Sequence, residues 1–314
     1  MNLKQTKVFY EIINKFSEKQ RIDNFLIKKF KKIPKSKLYN IIRKGRIRIN
    51  KKRVKAKYKL NIGDIIRIPP LKIYNIKNKK IKINTIQKKI LNNILYEDKI
   101  ILILNKPSGL SVHGGSGIYC GIIESLRILR PLDKYLELIH RLDRFTSGIL
   151  MIAKKKSSLI YFHKQFRKKS IKKKYISIVH GKCLFKNKVI NASLSKKNIL
   201  KKKKMVFIDK NGKKSQTILK TLKTNNLYSL ISIKPKTGRT HQIRVHSSII
   251  GHPILFDNRY GNNELDKKFI YKKIKKNLFL HSKKISFIHP IYKKKMDIIA
   301  PLNKNFKKII KLLF

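Results

Sequence analysis

The ten residues at 140–149, HRLDRFTSGI, place one carboxylate between two guanidinium groups. Asp143 is flanked by Arg141 and Arg144, and a Thr-Ser-Gly turn then leads into the apolar run ILMIA at 149–153. A short apolar run after a turn is typical of a buried strand, so we expect the turn to hold Asp143 at the edge of a sheet. Neighbouring guanidinium groups favour the ionised form of a carboxylate. Asp143 is therefore a candidate nucleophile.

Two further segments carry residues that suit contacts with RNA. NKPSGLSVHGGSG at 105–117 is rich in glycine but lacks the Gly-Lys-Ser/Thr ending of a P-loop. It is either a flexible loop or a direct RNA contact. Tyr175 belongs to a strand-like segment and is either a half-buried core residue or a ring that stacks on an unstacked base.

A third segment, PKTGRTHQIRVH at 235–246, ends a strand and starts a helix. Thr240 is placed to cap that helix, on which Arg244 lies one turn further along. A metal site formed by His241 and His246 is excluded because the two are five residues apart and lack partners. We expect Arg244 to pair with a buried carboxylate or with phosphate.

The elements that must position these groups follow from apolar periodicity. Short strands mixed with a few helices indicate an α+β fold around a mainly antiparallel, mixed sheet. The strands are predicted at 96–104, 149–153, 174–179, 228–234 and 277–280, and the helices at 118–129, 157–168 and 240–250.

A compact basic unit precedes these elements. Apolar spacing predicts a helix over 21–30, and Ser36 is expected to cap a second helix that ends before Gly45. Strict alternation in RIRIN at 46–50 predicts a strand with one basic face, and GDIIRI at 63–68 predicts another.

The composition indicates a polyanionic partner. The 314 residues include 80 Lys and Arg against 15 Asp and Glu, a formal net charge of +65. Lys, Ile and Asn also dominate ordinary stretches such as 73–89, a pattern typical of codon bias in an AT-rich genome, so we do not expect all of this charge to serve binding. The chain is long enough for one large domain and a small one, and 41% of its residues are hydrophobic.

Several classes of protein are excluded by what the sequence lacks. It has only two cysteines, without CxxC spacing, which argues against a zinc site or a disulfide framework. No run of membrane-spanning length, signal peptide or cofactor motif is present. We expect a cytoplasmic protein with no metal, no cofactor and no membrane contact, and a monomer.

The basic unit resembles an S4 RNA-binding domain of the αL type. The resemblance rests on RIDNFL at 21–26, PKSKLYNIIRKGRIRINKKRV at 34–54 and the Gly-Asp pair at 63–64. The alternative is a basic helical hairpin that contacts only protein. The resemblance implies a face that contacts RNA phosphates without reading sequence. That face comprises Lys35, Lys37, Arg43, Lys44, Arg46 and Arg48.

The chain from about Leu91 onward resembles the RluA-type pseudouridine synthases. HRLD-x-x-TSG, the 105–117 segment, the Lys-Tyr strand and the THQIRVH helix occur in the family's order. The resemblance implies that Asp143 is the catalytic aspartate, Tyr175 the base-stacking tyrosine and Arg244 the partner of the aspartate. Arg141 would fill the space that a flipped base leaves, and Arg144 is left as a phosphate contact or surface residue.

The resemblance also implies the domains and the reaction. The domains are an N-terminal lead at 1–18, an S4 domain at 19–70, a linker at 71–92 and a catalytic domain of pseudouridine synthase fold at 93–314. The reaction is an isomerisation of specific uridines to pseudouridine in RNA, at several sites in 23S ribosomal RNA of the large subunit.

Two other functions compete with this one. The first is a non-catalytic RNA-binding or ribosome-assembly protein of the same fold, which would need neither Asp143 nor Tyr175. The second is a DNA-binding regulator, for which no recognition-helix signal is present. Whether Asp143 attacks the sugar or the base is left open.

Overall fold

The computed structural model describes two compact units, residues 1–81 and residues 82–314. The described residues are 3–5, 7–30, 33–74, 85, 89–114, 120–199, 203–269 and 274–314. Most of the predicted linker at 71–92 lies outside them. The bounds of the four segments drawn from the sequence stay predictions.

The first unit packs two helices on a small antiparallel sheet. Its apolar core takes Ile22, Leu26, Leu38 and Ile42 from the helices and Ile66 from the sheet. The sheet order is β2-β5-β3-β4, and β1 pairs separately with β6. The helices are α1 (Ile22–Lys29) and α2 (Lys35–Arg43); the strands are β1 (Leu3–Gln5), β2 (Phe9–Ile12), β3 (Arg48–Ile49), β4 (Lys52–Arg53), β5 (Ile65–Ile68) and β6 (Lys72–Tyr74).

Three details of this unit differ from the sequence prediction. Ser36 is not the cap of α2, because the helix begins at Lys35 and its N-cap is Pro34, whose fixed φ suits a helix start. Residues 46–50 alternate between exposed and buried as predicted, but only Arg48–Ile49 is paired as a strand. Residues 9–12 of the predicted lead form β2 on the edge of the sheet. Gly45 has a φ of +65°, as expected after a helix end.

The second unit is built on an eleven-stranded sheet. Its order is β13-β12-β14-β15-β11-β16-β10-β8-β7, with β17 beside β16 and β9 beside β10. Among the described strands, only β10 and β16 pair in parallel, so the predicted α+β fold with a mainly antiparallel mixed sheet is confirmed. The strands are β7 (Ile94–Glu97), β8 (Ile101–Lys106), β9 (Glu137–Leu138), β10 (Ser147–Ala153), β11 (Lys172–His180), β12 (Lys188–Ile199), β13 (Lys203–Ile208), β14 (Lys213–Thr224), β15 (Tyr228–Pro235), β16 (Leu280–Ile288) and β17 (Lys295–Ile299).

Helices cover both faces of the central strands. Leu150 and Ile152 of β10 belong to one apolar cluster, whereas Met151 belongs to another that includes Phe162. All seven residues of β10 are consequently buried, which explains its unbroken apolar run. The helices are α3 (Ile122–Leu129), α4 (Lys156–Arg167), α5 (Gln242–Ile249), α6 (Asn263–Lys267) and α7 (Lys304–Leu313), with a 3₁₀ turn at Lys89–Asn93.

Two predicted elements of this unit are corrected. The strand predicted at 277–280 is wrong over most of its length, since β16 begins at Leu280. Phe279 instead makes single main-chain bonds to two other segments, as donor to Leu255 and acceptor from Ile178. Of the helix predicted over 118–129, residues 118 and 119 lie outside the described residues and α3 begins at Ile122. Where the chain is described, no helix is long and apolar enough to cross a bilayer.

Candidate active site

Asp143 lies in the loop before β10, and a buried lysine holds that loop in place. Lys106, at the end of β8, is fully buried. Its Nζ donates to the main-chain carbonyls of Pro107 (2.9 Å), Leu110 (2.7 Å) and Arg144 (2.9 Å). Burial lowers the pKa of Lys106 to about 7, and the nearby Asp143 carboxylate opposes that shift. One ammonium group therefore ties the two loops together next to Asp143.

The start of the glycine-rich segment at 105–117 makes further hydrogen bonds that hold the Asp143 loop. Ser108 Oγ donates to the carbonyl of Phe145 at 2.7 Å. Arg144 and Gly109 exchange two bonds of 3.0 Å, one through the arginine Nε and one between main chains. The described part of the segment thus supports the Asp143 loop, and its last three residues, 115–117, lie outside the described residues.

Gly148 lets the strand after this loop approach its neighbour closely. Its φ is +101°, and a Cβ there would lie 2.3 Å from the carbonyl oxygen of Ser282. Gly148 and Ser282 are register partners in the parallel β10–β16 pair. The Thr-Ser-Gly turn therefore requires glycine at its third position.

Tyr175 stands at the same level of the sheet, on the other side of β16. It is also a register partner of Ser282, directly after an irregularity at Lys174. With strands about 4.8 Å apart, the backbones of Tyr175 and Gly148 are about 10 Å apart. Burial raises the pKa of Tyr175 to about 12, and the charge of Asp143 contributes to this shift. The ring is thus neutral, and it belongs to the apolar core with 8% of its surface exposed. Its contact with a base stays a prediction.

Arg244, on α5, connects two carboxylates. Its Nε and Nη2 donate to Asp257 at 2.7 and 2.6 Å, and its Nη1 donates to Asp143 Oδ2 at 3.4 Å. The Asp257 side chain is 1% exposed and that of Asp143 is 28% exposed. The expected buried carboxylate exists, but the tighter bond is to Asp257, which the sequence argument did not name.

Asp257 is held by main-chain hydrogen bonds as well as by Arg244. It also accepts the main-chain N–H groups of Arg259 (3.0 Å) and Tyr260 (3.2 Å). Burial raises the pKa of this carboxyl, but the hydrogen bonds and charge of Arg244 lower it by more, so the net pKa lies below its usual range. Asp257 is therefore an ionised support for Arg244.

His241 is the second group that faces Asp143. Its Nε2 lies 3.8 Å from Asp143 Oδ2, and its Nδ1 lies 2.8 Å from the hydroxyl oxygen of Tyr260. The prediction that Thr240 caps the helix is wrong, because the N-cap is His241, with a left-handed φ of +51° and no side-chain cap bond. The imidazole is thereby turned to Asp143 and Tyr260.

The arginines beside Asp143 in sequence are directed elsewhere. Arg141 and Arg144 are both exposed, and the ion pairs of Asp143 among the described residues are with Arg244 and His241. Arg144 donates to a main-chain carbonyl, and its guanidinium lies 5.3 Å from the centre of the Phe145 ring. The expectation that Arg141 and Arg144 hold Asp143 charged is therefore wrong. The turn directs Arg141 to solvent and Arg144 to the carbonyl of Gly109.

The comparisons with known proteins agree with this geometry. The family model "RNA pseudouridylate synthase" matches residues 100–248, and the S4 domain model matches residues 20–66. A protein of Buchnera aphidicola subsp. Schizaphis graminum named ribosomal large subunit pseudouridine synthase C is 51% identical over 100% of both chains. The chain belongs to the RNA pseudouridylate synthase family. The predicted enzyme class, an RNA pseudouridine synthase and thus an isomerase, is confirmed.

Further relatives extend this similarity. The Vibrio cholerae protein with the same name as the Buchnera relative is 45% identical over 99% of this synthase and 98% of its own length. A human structure, RNA pseudouridylate synthase domain containing 4, has a TM-score of 0.58 at 23% identity, covering 72% of this chain and 94% of its own. That structure shows the shared fold. The predicted S4 domain is likewise confirmed by its family model.

The S4 unit of the synthase carries its predicted cations at the surface. All six lie on α2 or in the residues that follow it, and Lys37 alone is half-buried. The exposed ones are Lys35, Arg43, Lys44, Arg46 and Arg48.

The sheet register adds two arginines and a tyrosine that sequence reasoning missed. Arg48 of β3 is the register partner of Arg53 in β4 and of Arg67 in β5, and Arg67 is the partner of Tyr10 in β2. We call these four residues, Arg53, Arg48, Arg67 and Tyr10, the arginine row. Like charges directly opposite each other destabilise a sheet. The strand predicted from GDIIRI was the one sequence feature that could have pointed to Arg67.

The guanidinium groups of the arginine row gather at one turn. Arg48 Nε donates to the carbonyl of Gly45 at 3.5 Å, and Arg67 Nη1 donates to that of Arg46 at 3.3 Å. Arg53 packs over Gly45, where a Cβ would lie 2.5 Å from its Nε. Among the described residues, no ion pair joins a carboxylate to Arg48, Arg53 or Arg67; Glu11 pairs with Lys29 and Asp23 with Arg21.

Proposed function

We propose that this enzyme converts several uridines of 23S ribosomal RNA, in the large subunit, to pseudouridine, with Asp143 as the reacting group. The observation that carries the proposal is the setting of Asp143. It is partly exposed, it accepts a hydrogen bond from Arg244, and Lys106 clamps its loop. A carboxylate fixed in this way is open to a substrate on one side and oriented by the protein on the other.

The reaction moves one bond within the nucleotide. The bond between uracil N1 and the sugar breaks, the base turns, and C5 joins the sugar while its proton leaves and N1 gains one. The product is an isomer of the substrate, so no oxidant or group donor is consumed. Asp143 acts as the nucleophile or as the base that starts cleavage.

The uridine must leave the RNA stack to reach Asp143, and two side chains suit that step. Tyr175 offers a neutral ring near Asp143 on which the flipped uracil stacks, a contact that typically stabilises by about 1–3 kcal/mol. Arg141 is exposed two residues before Asp143 and takes the place of the flipped base in the stack.

The S4 unit supplies sequence-independent affinity. Its phosphate contacts come from the arginine row and from cations on α2 and directly after that helix. These cations are Lys35, Lys37, Arg43, Lys44 and Arg46. Because its substrate is ribosomal RNA, we propose that the enzyme acts in the cytoplasm, and that it does so as a monomer.

The proposal is tested with Asp143→Asn. Wild-type protein and variant are incubated with 23S RNA fragments, and pseudouridine is mapped chemically. We expect the variant to lose at least about 10³-fold in rate, while its RNA affinity stays within about threefold of wild type because phosphate contacts dominate affinity. Asp297→Asn, at a surface ion pair, is the matched control.

Two outcomes would overturn the proposal. Wild-type protein that binds the fragments and forms no pseudouridine would exclude the enzyme and favour a binding protein of the same fold. Mapping ribosomal RNA from cells that lack the protein tests the substrate, because unchanged 23S modification would exclude this RNA as the target.

A further inference from the structure

Tyr260 contacts both groups that face Asp143. Its ring meets the His241 ring edge-to-face, with centroids 5.5 Å apart, and lies 5.1 Å from the Arg244 guanidinium. Its hydroxyl is 2.8 Å from His241 Nδ1 and accepts the main-chain N–H of Val206 in β13 at 3.0 Å. One side chain therefore supports both donors.

These bonds favour one tautomer of His241. The Tyr260 oxygen already accepts the Val206 N–H, so its single proton is free to be donated. Donation to Nδ1 satisfies both groups and leaves the imidazole proton on Nε2. Nε2 is the atom that lies 3.8 Å from Asp143 Oδ2. A neutral N–H thus points at the carboxylate.

The backbone of His241 is consistent with this use of the side chain. A non-glycine residue with a φ of +51° is disfavoured by about 1–2 kcal/mol. The left-handed backbone closes a turn in which the Gln242 N–H donates to the carbonyl of Arg239 at 3.2 Å, and it gives α5 no side-chain cap. A conformation of this kind persists only where its surroundings hold it, and here the turn directs the imidazole to the site.

We propose that His241 is a positioning residue, a neutral donor that orients Asp143 and whose tautomer is fixed by Tyr260. The inference rests on the proposed function, in which Asp143 reacts. At 3.8 Å the contact is longer than a hydrogen bond. Catalytic hydrogen bonds are commonly long without substrate and tighten in the complex. We therefore expect the Nε2–H to close on Asp143 when RNA is bound.

A neutral imidazole also preserves the nucleophilicity of Asp143. The ion-pair partners of Asp143 among the described residues are Arg244 and His241. With His241 neutral, Arg244 alone pairs with Asp143 as a cation, so the carboxylate stays a better nucleophile than it would beside two cations. The groups that face the ring are Asp143, Arg244, Asp257, Arg259 and the Tyr260 hydroxyl. Burial lowers the pKa of His241, Arg244 and Arg259 lower it further, and the two carboxylates oppose this.

The first experiment compares His241→Gln with His241→Asn in the full chain. The Gln amide reaches the position of Nε2, whereas the Asn amide reaches only that of Nδ1. We expect the Asn variant and His241→Phe to lose about 10–100-fold in single-turnover rate at saturating 23S fragment, the effect of one bond to a charged group. The Gln variant should recover at least half of that loss on a logarithmic scale. RNA affinity should change by less than about threefold.

The comparison of the Gln and Asn variants keeps the test decisive if the Phe variant is unstable. Asn tolerates a left-handed backbone better than Gln does, so a purely structural role of His241 would make the Asn variant the more active one. That order, or a Phe variant as fast as wild type, would overturn the inference. An inactive wild type would instead overturn the proposed function.

The second experiment reads the tautomer by nitrogen NMR on histidine-labelled protein. The His241 signal is assigned by its loss in the Gln variant. We expect an Nε2–H imidazole that stays neutral at pH 7, and a mixture of tautomers in Tyr260→Phe, together with a lower rate. An Nδ1–H or charged ring in wild type would overturn the inference. An unchanged tautomer and rate in Tyr260→Phe would exclude the role of Tyr260.

Discussion

Arg244 is shared between two carboxylates, at 2.6 Å from Asp257 and 3.4 Å from Asp143. The shorter, two-bond contact is made to the residue that no substrate reaches, because Asp257 is buried. Planar two-bond pairing fixes the orientation of a guanidinium. Asp257 therefore decides where the remaining N–H of Arg244 points, and through it the geometry of Asp143.

Replacing Asp257 tests this dependence. Asp257→Asn should lower the free energy of unfolding at pH 7 by about 3 kcal/mol, because it leaves the Arg244 charge buried and poorly paired. It should also slow single turnover by about tenfold or more, since Asp143 loses its fixed donor. Urea unfolding and rate measurements check both. Asp297→Asn, at an exposed pair, should leave both almost unchanged.

The pH dependence of that loss has a defined sign. The pKa of Asp257 is lowered in the folded state, so the stability from its ionisation is present above the unfolded pKa and is lost as the pH falls through the folded one. The difference between wild type and Asp257→Asn should be constant from about pH 5 to 8 and should narrow below about pH 4. A difference that grows on acidification would contradict the assignment.

Sequence reasoning identified some of these residues and missed others for a physical reason. Asp143 and Tyr175 stand in short motifs whose local setting is distinctive. Asp257 and Tyr260 act through bonds to residues 13 or more positions away, and nothing in the surrounding HPILFDNRYG segment marks them as charged or aromatic partners. The aim of His241 depends on a left-handed backbone that no side-chain pattern encodes.

Among the elements, the parallel pair of β10 and β16 packs closely next to the site. Gly148→Ala must place a Cβ 2.3 Å from the Ser282 carbonyl at a φ of +101°. We expect a loss of about 2–4 kcal/mol in unfolding free energy. Gly251→Ala, with a φ of +80° and nothing within 4 Å, should cost only about 1 kcal/mol. Equal losses in urea unfolding would refute the role of the close approach.

The elements also show where periodicity succeeds and fails. The apolar run at 149–153 predicted β10 because the strand is buried on both faces. The long strands β12 and β14 carry lysines and half-buried positions, so they lack the contrast that reveals a strand. The start of α5 was misplaced because the chain enters it through a strained histidine rather than through a Thr cap.

For the whole molecule, we propose that the first compact unit supplies RNA affinity and the second carries out the chemistry. The second unit holds Asp143, Tyr175 and Arg244, whereas the arginine row belongs to the first. Composition indicated a polyanionic partner, but a net charge of +65 cannot show which cations act. The sheet register supports our proposal that the arginine row binds phosphate, because like charges opposite one another destabilise the free protein and favour an anionic ligand.

Removing the arginine row should weaken RNA binding without slowing the chemical step. With Arg48, Arg53 and Arg67 all changed to Gln, the slope of log affinity against log salt should fall by about 2–3, one unit per lost phosphate contact. The rate at saturating RNA should stay unchanged. A triple Gln variant at Lys307, Lys308 and Lys311 of α7 removes the same charge and should change the slope by less than about one. If both variants change it equally, total charge rather than the row determines binding.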